Sequence, residues 1–226
     1  AIYALLLTGK DQLNQSEKIT VELGKQTLPV STTANPLGYL KYTYTASEIQ
    51  PDMLNADITQ TTDSPSWGGL YLQYFEKFDQ VQQQKGILSV TKKLFIEKIG
   101  SDGKQELLPL GKEKLKTGDK VITRLTLSLK QDMDFLYLKD FRAACFEPIG
   151  QLSGNQWKFG TVYYEESKDA VTNFFFNSLA KGTYVLEYPV WVNQAGTYQD
   201  GIATFQSMYA PEYTAYSEAG KITVTK

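Results

Sequence analysis

The sequence predicts an all-β protein, two β-sandwich parts behind a short helical remnant at the N-terminus. Three observations carry that expectation. Apolar residues recur at every second position in short runs, not at helical spacing. Turn signals containing glycine or aspartate punctuate those runs, as in immunoglobulin-like sandwiches. A charged, glutamine-rich stretch from Glu76 to Lys85, closed by Gly86, interrupts the pattern and divides the chain into residues 10–85 and 86–226.

Ala1 to Thr8 reads as the end of a helix, with Gly9 as its C-cap and Lys10 set favourably against the helix dipole. The period then changes to two. Ile19, Val21 and Leu23 share one face of a strand that Gly24 closes, and Leu40, Tyr42 and Tyr44 share one face of a second. Asn55 to Thr62 reads as a third strand, followed by a turn at Asp63-Ser-Pro-Ser. After Trp67-Gly68-Gly69, the run from Leu70 to Phe75 is apolar on nearly both faces, which predicts a strand covered twice.

Leu88 to Ile99 predicts a strand that turns at Ser101-Asp102-Gly103, and Thr117-Gly118-Asp119 is another turn. It launches the cleanest alternation in the chain, with Val121, Leu125, Leu127 and Leu129 opposite Arg124, Thr126, Ser128 and Lys130. Further strands are expected over 135–139, 157–164, 171–176, 184–192, 202–209 and 222–224. Leu138 to Gly150 reads as a strand followed by an edge turn.

The chain of 226 residues is long enough to bury a core without staples. Its net charge of -2 gives no electrostatic reason for a nucleic-acid or anionic-membrane partner. The absence of histidine excludes Ser-His-Asp and Cys-His catalysis and removes the commonest transition-metal ligand, so a non-enzymatic protein without cofactor is expected. The apolar start spans about eight residues, well short of the ~20 a helix needs to cross a bilayer, and it lacks the features of a signal peptide. It reads as part of a longer chain whose targeting signal lies upstream.

Cys145-Phe-Glu147-Pro148 approaches the Cys-x-Glu-Gln of an internal thioester, but proline supplies no acyl carbon at the fourth position. The lone cysteine between Ala144 and Phe146 reads as a buried thiol. Glu165 and Glu166 point to opposite faces of any strand and so cannot flank one bond together, and the expectation there is a solvated loop. No carboxylate run has calcium-ligand spacing. The aromatics Tyr71, Trp157, Tyr163, Tyr164, Trp191 and Tyr198 read as core residues before they read as a sugar platform.

The series Ala1-Ile-Tyr-Ala-Leu-Leu-Leu, Trp67-Gly-Gly-Leu-Tyr-Leu-Gln-Tyr-Phe-Glu, Asp132-Met-Asp-Phe, Lys139-Asp-Phe-Arg-Ala and Phe146-Glu-Pro continues with Thr172-Asn-Phe-Phe-Phe, Lys181-Gly-Thr-Tyr-Val-Leu-Glu-Tyr and Met208-Tyr-Ala-Pro-Glu-Tyr. Together these resemble the C-terminal end of the bacterial alpha-2-macroglobulin-like proteins, particularly the Bacteroidetes type. The resemblance implies that residues 1–9 finish a helical thioester-type domain. It further implies that 10–85 are the second half of a CUB-like β-domain and 86–226 a terminal macroglobulin-type sandwich.

It also implies a part of a protease-trapping inhibitor, outside the cytoplasm in the periplasm or at the cell surface, with lipid anchoring through an upstream N-terminus. Its partners would be upstream domains of the same chain and, through the full-length protein, proteases. Tyr209 and Met208 become candidates to shield a thioester from water. Trp67, Tyr71 and Phe75 become candidates for packing between domains. The alternative from a different class is an adhesive or glycan-binding immunoglobulin-like module, which requires a contiguous exposed aromatic patch.

Overall fold

The computed structural model describes residues 19–29, 41–61, 68–111, 114–150, 152–158 and 160–226. The chain divides into two units, residues 1–72 and 73–226. The helix expected at residues 1–9 and the candidate Trp67 lie outside the described residues.

In the first unit, β1 (Ile19–Leu23), β2 (Gln26–Thr27) and β3 (Ala56–Gln60) form an antiparallel sheet in the order β2-β1-β3. The β1–β2 turn requires glycine twice over. Gly24 has φ 60°, and a Cβ on it would stand 2.7 Å from the backbone carbonyl carbon of Asp52 in the 3₁₀ turn Pro51–Leu54. Leu23 and Leu28 are buried, whereas β3 is exposed along its whole length.

Two strands expected in this region are absent. Residues 41–45 and 70–75 form no strand, and Leu40 is outside the described residues. Alternating hydrophobicity describes which way side chains face, but a strand also needs a neighbouring backbone to satisfy its N–H and C=O groups. No described strand offers one to either segment.

The second unit contains β4 (Leu88–Ile99), β5 (Gln105–Pro109), β6 (Leu115–Lys116), β7 (Lys120–Leu129), β8 (Met133–Phe141), β9 (Phe146–Pro148) and β10 (Gly154–Lys158). It continues with β11 (Thr161–Ser167), β12 (Val171–Leu179), β13 (Gly182–Val192), β14 (Gly196–Asp200), β15 (Ala203–Ser207), β16 (Thr214–Tyr216) and β17 (Gly220–Thr225). A six-stranded sheet runs β10-β11-β12-β8-β15-β16, a five-stranded sheet runs β5-β4-β7-β13-β9, and β14-β17-β6 form a small third sheet. Within these sheets the pairing is antiparallel except between β17 and β6.

The core follows from alternation. Val121, Leu125, Leu127 and Leu129 of β7 are buried together with Leu186, Tyr188, Val190 and Val192 of β13. From the opposite sheet, Leu136 and Leu138 of β8, Phe174 and Phe176 of β12 and Phe205 of β15 join them in one apolar cluster. Burying each such Leu or Phe contributes about 1.5–3 kcal/mol. The fold is therefore the expected all-β sandwich.

The single strand expected over 157–164 is a hairpin, because Gly160 takes φ 75° and reverses the chain between Lys158 and Thr161. Glu165 and Glu166 lie in β11, not in a loop, since this hairpin extends the sheet to include them. The strand and edge turn expected at 138–150 connect the two main sheets: β8 is interior to one, and β9 edges the other beside β13.

Candidate functional site

One end of the six-stranded sheet carries an exposed apolar tip. Met208 is 50% and Tyr209 79% exposed, side by side. They sit in the β15–β16 connection, which its own hydrogen bonds close. Ser207 N–H donates to Tyr213 O at 3.1 Å, Tyr213 N–H to Ala210 O at 2.9 Å, and Thr214 Oγ1 to Pro211 O at 2.6 Å. Pro211 is preset for such a turn. Phe135 of β8 completes the tip, since its carbonyl accepts the Met208 N–H at 2.9 Å and its ring meets that of Tyr209 edge to face, centroids 5.2 Å apart.

A second constellation is buried. Lys92 lies on the core face of β4, in the row Leu88, Val90, Lys92, Leu94, Ile96. Its ammonium approaches four oxygens: Phe141 O at 2.7 Å, Gly201 O at 2.8 Å, Asp200 Oδ1 at 2.8 Å and Asp140 Oδ1 at 3.0 Å. It donates hydrogen bonds to the two carbonyls and meets the two carboxylate oxygens as close ion pairs. Tyr188 Oη of β13 donates to Asp140 Oδ2, and Arg142 Nη1 donates to Thr172 Oγ1. The cluster thus ties β4 and β13 of the five-stranded sheet to β8 of the six-stranded sheet and to β14 of the small one.

Its electrostatics fit a clasp. Desolvation pulls the Lys92 pKa down, but the opposite charges of Asp140 and Asp200 more than offset this, so the net shift is upward. Burial raises Asp200 despite the attraction of Lys92. Burial and the neighbouring Asp140 charge push the Tyr188 phenol well above its usual value, so it stays a donor. Two carboxylates therefore share one ammonium, while the buried Arg142 beside them bonds Thr172.

Sequence reasoning missed this cluster, yet the signal was present. Lys92 and Asp140 each occupy a core-facing position in an otherwise apolar alternating row, where a charge must be paired. Only the fold reveals that the two rows face each other.

Among the other predicted residues, Tyr71 is 92% exposed and Phe75 fully exposed. Cys145 is fully buried, with desolvation raising its thiol to about 11, so it is neither a ready nucleophile nor a ready metal ligand. Glu165 and Glu166 face opposite ways: Glu166 accepts from Asn173 Nδ2 at 2.7 Å, while burial raises the Glu165 pKa. On the outer face of the six-stranded sheet, Tyr137 stacks on Phe175 at 4.9 Å and Tyr164 follows at 6.3 Å, near the 82%-exposed Trp157 of edge strand β10. No helix among the described residues is long and apolar enough to cross a membrane.

Residues 88–212 match the family described as the bacterial alpha-2-macroglobulin MG10 domain. No curated protein matches the chain. In structure it is similar to a tyrosine-to-glycine mutant of Salmonella alpha-2-macroglobulin, with TM-score 0.50 and 16% identity over 92% of this chain and 13% of that one. It is similar also to Escherichia coli alpha-2-macroglobulin activated by porcine elastase, with TM-score 0.50 and 18% identity over 65% of this chain and 14% of that one. The matched part of the chain covers only 13–14% of the length of these proteins.

Proposed function

Because the chain belongs to the bacterial alpha-2-macroglobulin MG10 domain family, we propose that it is the non-catalytic C-terminal scaffold and clamp of a protease-trapping protein. In this reading it packs on an upstream thioester-type domain, and Met208 and Tyr209 cover the reactive acyl bond there. The full-length protein would work in the periplasm or at the cell surface, cut by a protease in an upstream segment and changing shape around it. Residues 10–85 would be the second half of a CUB-like domain, and Trp67, Tyr71 and Phe75 would pack between domains.

The exposure of Met208 and Tyr209 on a loop braced by its own hydrogen bonds is the observation that carries the proposal. Two large apolar side chains held outward are matched by a surface that excludes water, and a thioester persists only where water is excluded. Charge gives no competing account, because the net charge is -2.

Tyr209→Ala in the full-length protein is expected to raise the rate of methylamine attack by roughly tenfold, about 1.4 kcal/mol off the barrier. An unchanged rate, or a wild-type protein inert to methylamine, sinks the shielding role. Limited proteolysis that neither changes hydrodynamic size nor retains the protease sinks the trapping role.

The aromatic row Tyr137, Phe175 and Tyr164 favours a second reading, a glycan-binding face. Glycan-array binding by the chain that Tyr164→Ala abolishes would establish it, and an empty array would remove it.

A further inference from the structure

We infer that Phe135 is the positioning residue that presents Tyr209 and Met208, its backbone held in the left-handed region for that purpose; the inference rests on the shielding role proposed above. Phe135 has φ 52°, the sole non-glycine residue with positive φ among the described residues. A bulky side chain is a genuine outlier there, because its Cβ crowds the following carbonyl. Such conformations persist only where their surroundings impose them, and they concentrate at working sites.

What imposes it is the ladder around Phe135. In β8, Leu136 pairs with Phe176 and Asp134 with Ser178, so the register to β12 is the same on either side, yet Phe135 itself makes no pair. On the other flank Leu136 pairs with Ser207, and the next step of that ladder is the Met208 N–H donating to Phe135 O. Phe135 thus turns away from β12 and gives its carbonyl to the very residue that begins the exposed tip.

The same turn leaves its side chain 47% exposed, with Tyr209 against it at an interplanar angle of 89°. An edge-to-face pair fixes the orientation of a ring that would otherwise rotate freely in solvent. One residue therefore anchors Met208 through the backbone and Tyr209 through the ring. The plug is assembled before it meets the acyl bond, so little ordering cost is left for docking.

Two substitutions separate the ring from the backbone. Phe135→Gly adopts positive φ without strain, and Phe135→Asn tolerates it while offering no ring. Both are expected to leave Tm unchanged or slightly higher, and to raise methylamine attack on the full-length protein by a factor within about threefold of that of Tyr209→Ala. Adding either to Tyr209→Ala is expected to give no further increase, because both remove the same cover. Phe135→Tyr, which keeps a ring, is expected to restore the wild-type rate.

If Tyr209→Ala accelerates the reaction and both Phe135 variants react at the wild-type rate, the positioning role is wrong and the shield stands. If neither site matters, the shield itself fails and the positioning role falls with it. Faster reaction of the Phe135 variants seen only together with a lowered Tm makes the residue merely structural, and also overturns the inference.

Discussion

Lys92→Met is expected to destabilise the second unit by about 3–5 kcal/mol, which lowers its Tm by roughly 6–20 °C. The side chain of Lys92 is 3% exposed, and the cation holds two carboxylates of which Asp140 is fully buried. Methionine preserves most of the volume, so packing contributes little to the loss. The cost comes from Asp140 and Asp200, left charged in a medium that solvates them poorly, and from the carbonyls of Phe141 and Gly201 deprived of a donor.

The pH dependence gives this prediction a second edge. The Lys92 pKa is raised in the fold, so its contribution is complete below its unfolded value of 10.5 and is lost as pH rises through the higher folded value. In the Lys92→Met variant that alkaline loss should disappear. The variant should also recover part of its deficit as pH falls towards 4, because protonation discharges the orphaned Asp200, whose carboxyl pKa burial already raises. Urea unfolding of both proteins from pH 4 to 11 measures this, and a deficit below about 1 kcal/mol at pH 7 would refute the clasp. Lys92→Met with Asp140→Leu and Asp200→Leu should be milder than Lys92→Met alone, since no buried charge of the trio then lacks a partner.

Gly201→Ala is expected to cost about 3 kcal/mol or more, above the usual range for one added methyl. A Cβ at this position would stand 2.3 Å from the carbonyl oxygen of Phe141 and 2.4 Å from its Cβ. The obstruction is chiefly backbone, so no side-chain rotation relieves it. The segment between β14 and β15 must move away from the end of β8, and that separates the two carbonyls Lys92 bonds at once. The substitution should therefore reproduce the alkaline behaviour of Lys92→Met as well as its lowered Tm. A Tm within about 3 °C of wild type would mean that the approach at Gly201 is not needed to seat the ammonium.

Particular elements show how much was legible beforehand. The alternation of Val121, Leu125, Leu127 and Leu129 located β7 and its buried face, and that of Tyr184 to Val192 located β13. Asp102-Gly103 located the β4–β5 hairpin, where Gly103 takes φ 78°. These features depend on neighbouring residues alone, which is why they can be read from the chain. The same reasoning placed strands at 41–45 and 70–75, where the structure has none, because a strand's existence depends on a partner backbone that local sequence does not name.

The exposed tip divides along the same line. Met208 and Tyr209 stand out in the sequence through the resemblance of Met208-Tyr-Ala-Pro-Glu-Tyr, whereas Phe135 lies 73–74 residues earlier and looks like one more apolar strand residue. Its role emerges only when β8 and β15 are laid side by side and its φ is known.

By itself the sequence determined the all-β class, the core-facing rows, the turns, and the exclusion of histidine chemistry, because each follows from residue type and period. The tertiary structure alone decided which strands pair, that β8 and β9 belong to different sheets, and that Lys92, Asp140, Asp200 and Tyr188 meet in one buried cluster. The physical reason is distance along the chain: Lys92 and Gly201 bond across 109 residues, and no local pattern encodes a contact of that separation.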